Sequence, residues 1–208
     1  MMCAPFIVFE GIDGSGTTTQ AKALKNWLED LSGRRVFLTR EPSDGPVGSL
    51  LSQALRKRVV FNPQVMALLF AADRLDHLDQ EIKLRIDEGI TVICDRYYLS
   101  SFAYQMVDSQ EDLEWLKQLN SRALPPDLTI LIDVPADVGM KRIETGRWHT
   151  ELFEKLERQH LVRENYLMLA RGPQSEKERI AIVDGNRTQN EVFEDIKSIV
   201  HDQFSDHD

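Results

Sequence analysis

Cysteine is nearly missing from this chain: Cys3 and Cys94 are the only two among 208 residues. Two thiols without metal-ligand spacing exclude a disulfide framework and a structural zinc module. Cys94 closes the apolar run Thr91-Val92-Ile93-Cys94 and reads as an inert core residue. Positive charge is also short, with 25 Lys and Arg against 34 Asp and Glu and a formal net charge of -9. That balance excludes a nucleic-acid polymer as partner, because a phosphate backbone needs a broad basic footprint. A small phosphorylated ligand needs only a few local cations and stays open. Long hydrophobic runs are absent too. The first apolar run, Phe6–Phe9, is too short for a signal core or a bilayer span, and Met-Met-Cys-Ala-Pro carries no basic flank. No membrane partner and a cytoplasmic location are therefore expected. There is no internal repeat, low-complexity tract or Pro/Gly-rich linker, so residues 1–208 are expected to form one domain.

What is present is a globular composition, 42% hydrophobic and 28% charged. Short β-branched runs alternate with longer helical patterns. The expected strands are Phe6–Phe9, Val36–Thr39, Thr91–Cys94, Leu128–Asp133 and Ile180–Val183. Several are almost unbroken apolar runs, as in parallel strands covered on both faces. The expected helices are Thr18–Leu31, Pro63–Glu88, Glu111–Arg122, Ala136–Thr145, Leu152–Arg171 and Thr188–Gln203. Asn62-Pro63 is an N-cap followed by proline at the first helical position. The alternation predicts an α/β fold, a mostly parallel five-stranded sheet flanked by helices in three layers. Such sheets bind ligands at the carboxyl ends of their strands.

The first strand leads into Glu10-Gly11-Ile12-Asp13-Gly14-Ser15-Gly16-Thr17-Thr18-Thr19-Gln20 and then a helix. Glycines let backbone N–H groups turn inward around an anion, and the helix N-terminus adds partial positive charge. Gly11, Gly16 and Thr18 match the phosphate-loop template, but its lysine position holds Thr17. Thr18 should offer its hydroxyl to Mg²⁺. The missing ammonium is a contact worth about 3–4 kcal/mol in a transition state. Either the rate suffers or another cation substitutes, the candidates being Arg96, Arg142 and Arg147, with Lys22 weaker.

The other strand ends also carry polar residues. Arg40-Glu41-Pro42 follows the second strand, where a phosphate and a metal or hydroxyl could be met; alone, the pair reads as a surface salt bridge. Asp95-Arg96 follows the third, an acid placed to orient metal-bound water and a guanidinium able to hold an acceptor phosphate. An Asp95–Arg96 ion pair is the plainer alternative. Phe70 and Arg74 share one helix face, a stacking surface and a donor for a base carbonyl.

Over nearly its whole length the sequence resembles thymidylate kinases. The likeness rests on Phe9 to Gly16, Thr39 to Pro42, Leu68 to Arg74, Asp95-Arg96-Tyr97 with Ser101, Tyr104 and Gln105, Pro126 to Ile130, and Val162-Arg163 with Tyr166. The resemblance implies a P-loop kinase fold and transfer of the γ-phosphoryl group of ATP to dTMP, with Mg²⁺ as cofactor and a homodimer as assembly. It implies that Gly11, Ile12, Asp13, Gly14, Ser15, Gly16, Thr17, Thr18 and Thr19 wrap the ATP phosphates. Asp13 would approach the sugar 3′-hydroxyl, and Arg40 and Arg96 would hold the acceptor phosphate, with Glu41 beside them. Phe70 would stack on thymine, with Arg74 on a ring carbonyl and Ser101 near the ring N–H. Tyr104, backed by Gln105, would exclude a ribose 2′-hydroxyl. Asp95 would work with Thr18 through Mg²⁺ and water. A short lid at about residues 142–153 would place Arg142 on adenine. Because Gly14 stands where some members carry a loop arginine, Arg147 would be the catalytic one. A nucleotide-binding module without chemistry, or a kinase for another deoxynucleoside monophosphate such as dUMP or dGMP, are the competing readings.

Overall fold

The computed structural model describes residues 4–108, 112–143, 149–172 and 179–204, with side chains 31–32 and 149–154 left aside. Five strands appear where the apolar runs placed them: β1 Phe6–Glu10, β2 Val36–Arg40, β3 Thr91–Asp95, β4 Leu128–Asp133 and β5 Ile180–Asp184. The sheet is wholly parallel, in the order β2-β3-β1-β4-β5. Chain crossovers leave β1 toward β2 on one side and reach β4 on the other. The carboxyl ends of β1, β3 and β4 therefore open into the crevice where such folds bind ligands.

Period-two alternation splits β1 between two cores. Phe6 and Val8 join Val92, Cys94 and Leu131 beneath Phe102, Val162 and Tyr166. Ile7 and Phe9 join Ile93, Ile130 and Ile132 beneath Ala21, Leu24, Val192 and Ile196 on the other face. Helices cover both faces, which gives the three expected layers. Cys94 is buried, its thiol pushed well up by burial, and its Sγ–H donates to the Arg96 carbonyl at 3.1 Å.

The helices are α1 Thr17–Ser32, α2 Pro46–Leu55, α3 Pro63–His77, α4 Lys83–Asp87, α5 Tyr98–Asp108, α6 Leu113–Leu119, α7 Ala136–Ile143, α8 His149–Arg171 and α9 Gln189–Phe204. The expected cap of α3 is present, Asn62 accepting from the Val65 N–H at 2.8 Å. The long expected helix from Pro63 is one run in which a π-helical turn, Leu78–Ile82, joins α3 to α4. The expected helix from Glu111 is shorter, because Asp112 caps it by accepting from the Trp115 N–H at 2.8 Å. Sequence patterning missed α2 and α5. The first is opened only by Gly45-Pro46 and holds Gly48, a weak helix former. The second has no usual N-cap residue in sequence, Tyr97 standing just before it; its first turn is satisfied by Glu10, nearly ninety residues away, whose Oε1 accepts from the N–H groups of Tyr97 and Ser100. Among the described residues no helix is long and apolar enough to cross a membrane.

Candidate active site

The turn leaving β1 is shaped by backbone conformations that favour glycine: Gly14 has φ 77 and Gly16 φ 101. Gly14 also lies against α7, where an added Cβ would stand 2.1 Å from the Gly139 carbonyl oxygen. An arginine at position 14 therefore has no room, which agrees with the arginine-free loop. Thr17 is buried, while Thr18 points outward and its hydroxyl donates to Asp95 Oδ2. The other Asp95 oxygen and the Ser15 hydroxyl are buried with no hydrogen-bond partner among the described residues. A cavity of about 680 Å³ opens over this turn. Its lining cations among the described residues are Arg96, Arg142 and Arg187; Lys22 is exposed and lies outside it. Arg142 reaches it from α7 and donates to the Gly185 carbonyl at 3.0 Å.

A second cavity, of about 690 Å³, lies on the other side of Asp13. Arg40, Glu41, Phe70, Arg74, Ser101, Tyr104 and Gln105 all line it, so the residues singled out in sequence do converge. Phe70 and Arg74 share the face that their spacing predicted. Arg40 and Glu41 do not pair with each other. Arg40 turns outward to Asp44 at 3.3 Å, and Glu41 turns inward to Arg74 at 2.6 Å and His77 at 3.5 Å. The β3 exit differs from a simple Asp95–Arg96 pair as well: Asp95 takes the Thr18 hydroxyl, and Arg96 reaches across to Asp13 Oδ1 at 2.8 Å and the Gly11 carbonyl at 3.0 Å. Tyr104 also donates to Asp13 Oδ1, at 3.1 Å. Asp13, Asp95 and Arg96 line the second cavity, and Asp13 and Arg96 line the first too. The two spaces therefore meet at one carboxylate and one guanidinium. Burial works against the Arg96 charge, but Tyr104, Tyr166, Asp13 and Glu10 outweigh it and hold the guanidinium charged, well above its ordinary pKa. Of the lid expected at about 142–153, residues 144–148, Arg147 among them, lie outside the described residues, while 142–143 end α7 and 149–153 begin α8.

With this geometry in view, the match to known proteins is direct. The family model described as thymidylate kinase covers residues 9–196. The chain belongs to the thymidylate kinase family. It is 43% identical over 200 residues to a probable thymidylate kinase of Pyrococcus abyssi, an alignment spanning 94% of this chain and 95% of the relative. It is 39% identical over 206 residues to one of Thermococcus kodakarensis, spanning 95% and 100%. A third, from Pyrococcus horikoshii, is 47% identical over 170 residues, spanning 79% and 82%.

Several residues of this thymidylate kinase site escaped the sequence reading. Asn120 accepts from Arg74, His77 approaches Glu41, and Gln159 and Arg158 come from α8. Glu10 is the most consequential. It is fully buried at the end of β1, where besides the two backbone N–H groups it accepts from the Ser100 hydroxyl and from Tyr166 at 3.0 Å. A carboxylate closing an otherwise apolar strand was the available signal, since a strand covered on both faces holds an acid only with dedicated partners.

Burial raises the Glu10 pKa from 4.5 to about 7, although Ser100, Arg96 and Tyr166 pull the other way. The sign follows from linkage. Between those values the folded protein keeps a proton that the unfolded chain has released, so folding loses stability as pH rises through the interval. The full loss is about 3 kcal/mol. Glu10→Gln, which cannot ionise, should therefore gain stability relative to the parent from pH 5 to pH 8. Urea denaturation across that range checks this, and parallel stability curves for the two proteins would show that Glu10 does not titrate there.

Proposed function

We infer that this chain is a dTMP kinase, transferring the γ-phosphoryl group of ATP to dTMP to give dTDP and ADP. The observation that carries the reading is the meeting of two cavities at Asp13 and Arg96, a phosphate-binding turn on one side and a pocket with an aromatic wall on the other. Phosphoryl transfer needs donor and acceptor held in line with their charge offset, and no protein nucleophile. Family membership favours this over a module without chemistry, and favours dTMP over other acceptors.

In this reading the loop Gly11 to Thr19 wraps the ATP phosphates, and Arg142 lies on adenine. Arg96 holds the acceptor phosphate, with Arg40 swinging in from its exposed position. Phe70 stacks on thymine while Arg74 and Ser101 address its polar edge. Tyr104 and Gln105 wall the sugar against a 2′-hydroxyl, and Asp13 takes the 3′-hydroxyl. Arg147 meets the transferring phosphoryl group. Among the described residues no three His, Cys, Asp or Glu side chains converge on a metal. The Thr18 hydroxyl and the orphaned Asp95 oxygen are the modest protein share that fits Mg²⁺ when nucleotide oxygens complete its shell. When bound, Mg²⁺ would neutralise charge on the transferring phosphates. A homodimer and a cytoplasmic location complete the proposal.

The test is an acceptor screen: ATP with each nucleoside monophosphate, read as ADP release and product mass. dTMP should give the highest kcat/KM, with dUMP about ten to two hundred times lower, the range a missing methyl allows. Tight ATP binding without turnover of dTMP would sink the reading.

A further inference from the structure

One buried side chain bonded to the carboxylate that the cavities share has no part in the reaction as described. Gln159 projects from α8 and is 3% exposed. Its Nε2 donates to Asp13 Oδ2 at 3.0 Å, while its Oε1 is buried with no hydrogen-bond partner among the described residues. The direction of the amide is fixed by Asp13, because the reversed amide would set its oxygen against the carboxylate. An orphaned amide oxygen opposes folding, so stability alone does not account for a glutamine here.

The Asp13 carboxylate is thereby held from three directions. Arg96, just beyond β3, and Tyr104, on α5, both donate to Oδ1 at 2.8 and 3.1 Å. Gln159 alone, among the described residues, secures Oδ2. A carboxylate oxygen accepts two hydrogen bonds, so Oδ2 retains capacity for one hydroxyl from a ligand in the acceptor cavity. The side chain of Asp13 is about half exposed, at 46%, and without that third bond its carboxylate could rotate about the Oδ1 contacts. We propose that Gln159 is a positioning residue that locks the Asp13 carboxylate so that its Oδ2 reads the 3′-hydroxyl of the acceptor nucleotide. The inference rests on the dTMP kinase reading and adds to it a specificity element carried by α8.

The test compares dTMP with 3′-deoxythymidine monophosphate, which lacks only that hydroxyl. Gln159→Met matches the side-chain length and removes both the donor and the orphaned oxygen. Gln159→Asn keeps the amide and shortens its reach by one methylene. In both variants KM for dTMP should rise about tenfold, the size of one hydrogen bond to a charged group, with a smaller change in kcat. KM for the deoxy analogue should stay near the parent value, so discrimination between the two falls about tenfold. The melting temperature of Gln159→Met should equal or exceed the parent's, because the variant keeps the length and loses the orphaned oxygen, so a kinetic change would not come from unfolding. Equal losses on both substrates, or unchanged discrimination, would overturn the proposal. A parent that phosphorylates dTMP but treats the analogue equally would also overturn it and leave the kinase reading standing. A parent inactive on dTMP would remove both.

Discussion

Arg96→Met should lower kcat/KM for dTMP by about a thousandfold, the upper range for losing one preorganised charged donor, here the one proposed for the attacking phosphate. Arg96 is the cation shared by both cavities among the described residues. Its guanidinium is already oriented by the Gly11 carbonyl and Asp13, so little reorganisation opposes the reaction. With Thr17 in the place of a lysine, the phosphate loop has no ammonium of its own to share the load. Methionine keeps the stem and the packing. Both residues are equally strained by the left-handed backbone at this position, φ 72, so strain does not confound the comparison. Arg96→Lys should recover only part of the rate, since an ammonium cannot span two acceptors as a planar fork does. Steady-state kinetics with dTMP varied at saturating ATP decides the matter. A loss under tenfold for Arg96→Met would mean that another cation holds the acceptor phosphate.

Much of this was legible in the sequence because the relevant signals are local. All five strands came from short apolar runs, and β4 has the expected limits at Leu128 and Asp133. The glycines at 11, 14 and 16 announced a turn, and the spacing of Phe70 and Arg74 put them on one face. What stayed hidden depends on partners distant in sequence. The start of α5 is fixed by Glu10, and no window around Tyr98 contains that information. Arg40 and Glu41 are adjacent, yet one faces solvent and the other sits at 6% exposure beside Arg74; a dipeptide does not tell which. Asp95 and Arg96 likewise look like natural partners, but the left-handed turn at Arg96 sends its side chain toward Asp13 and leaves Asp95 to Thr18. Gln159 gave no signal at all, because a glutamine on a helix is ordinarily solvated and only the tertiary packing of α8 buries it.

The buried ion pair behind the base pocket leads to the largest expected change in stability. Arg74 is 1% exposed. It donates to Glu41 at 2.6 Å, to Ser101 at 3.1 Å and to Asn120, and its guanidinium lies 5.1 Å from the Tyr97 ring centre. Replacing it with methionine fills much of the volume but strips Glu41 of its main partner, leaving among the described residues only the His77 ring at 3.5 Å. An uncompensated buried carboxylate costs about 3–5 kcal/mol. For a protein of this length that lowers Tm by about 10 °C. The charge, not the cavity, should dominate, and the double variant separates them. Arg74→Met with Glu41→Gln removes both charges and should regain most of the stability, because a buried pair replaced by neutral groups is often close to neutral overall. The same double variant should remain poor with dTMP, since the donor proposed for the base is gone. Stability restored without activity would thus separate the observed task of Arg74, holding Glu41 in the interior, from the proposed one, presenting a donor to the acceptor's ring. If instead the single variant melts within 2 °C of the parent, the Glu41–Arg74 pair is not what holds this wall of the pocket together.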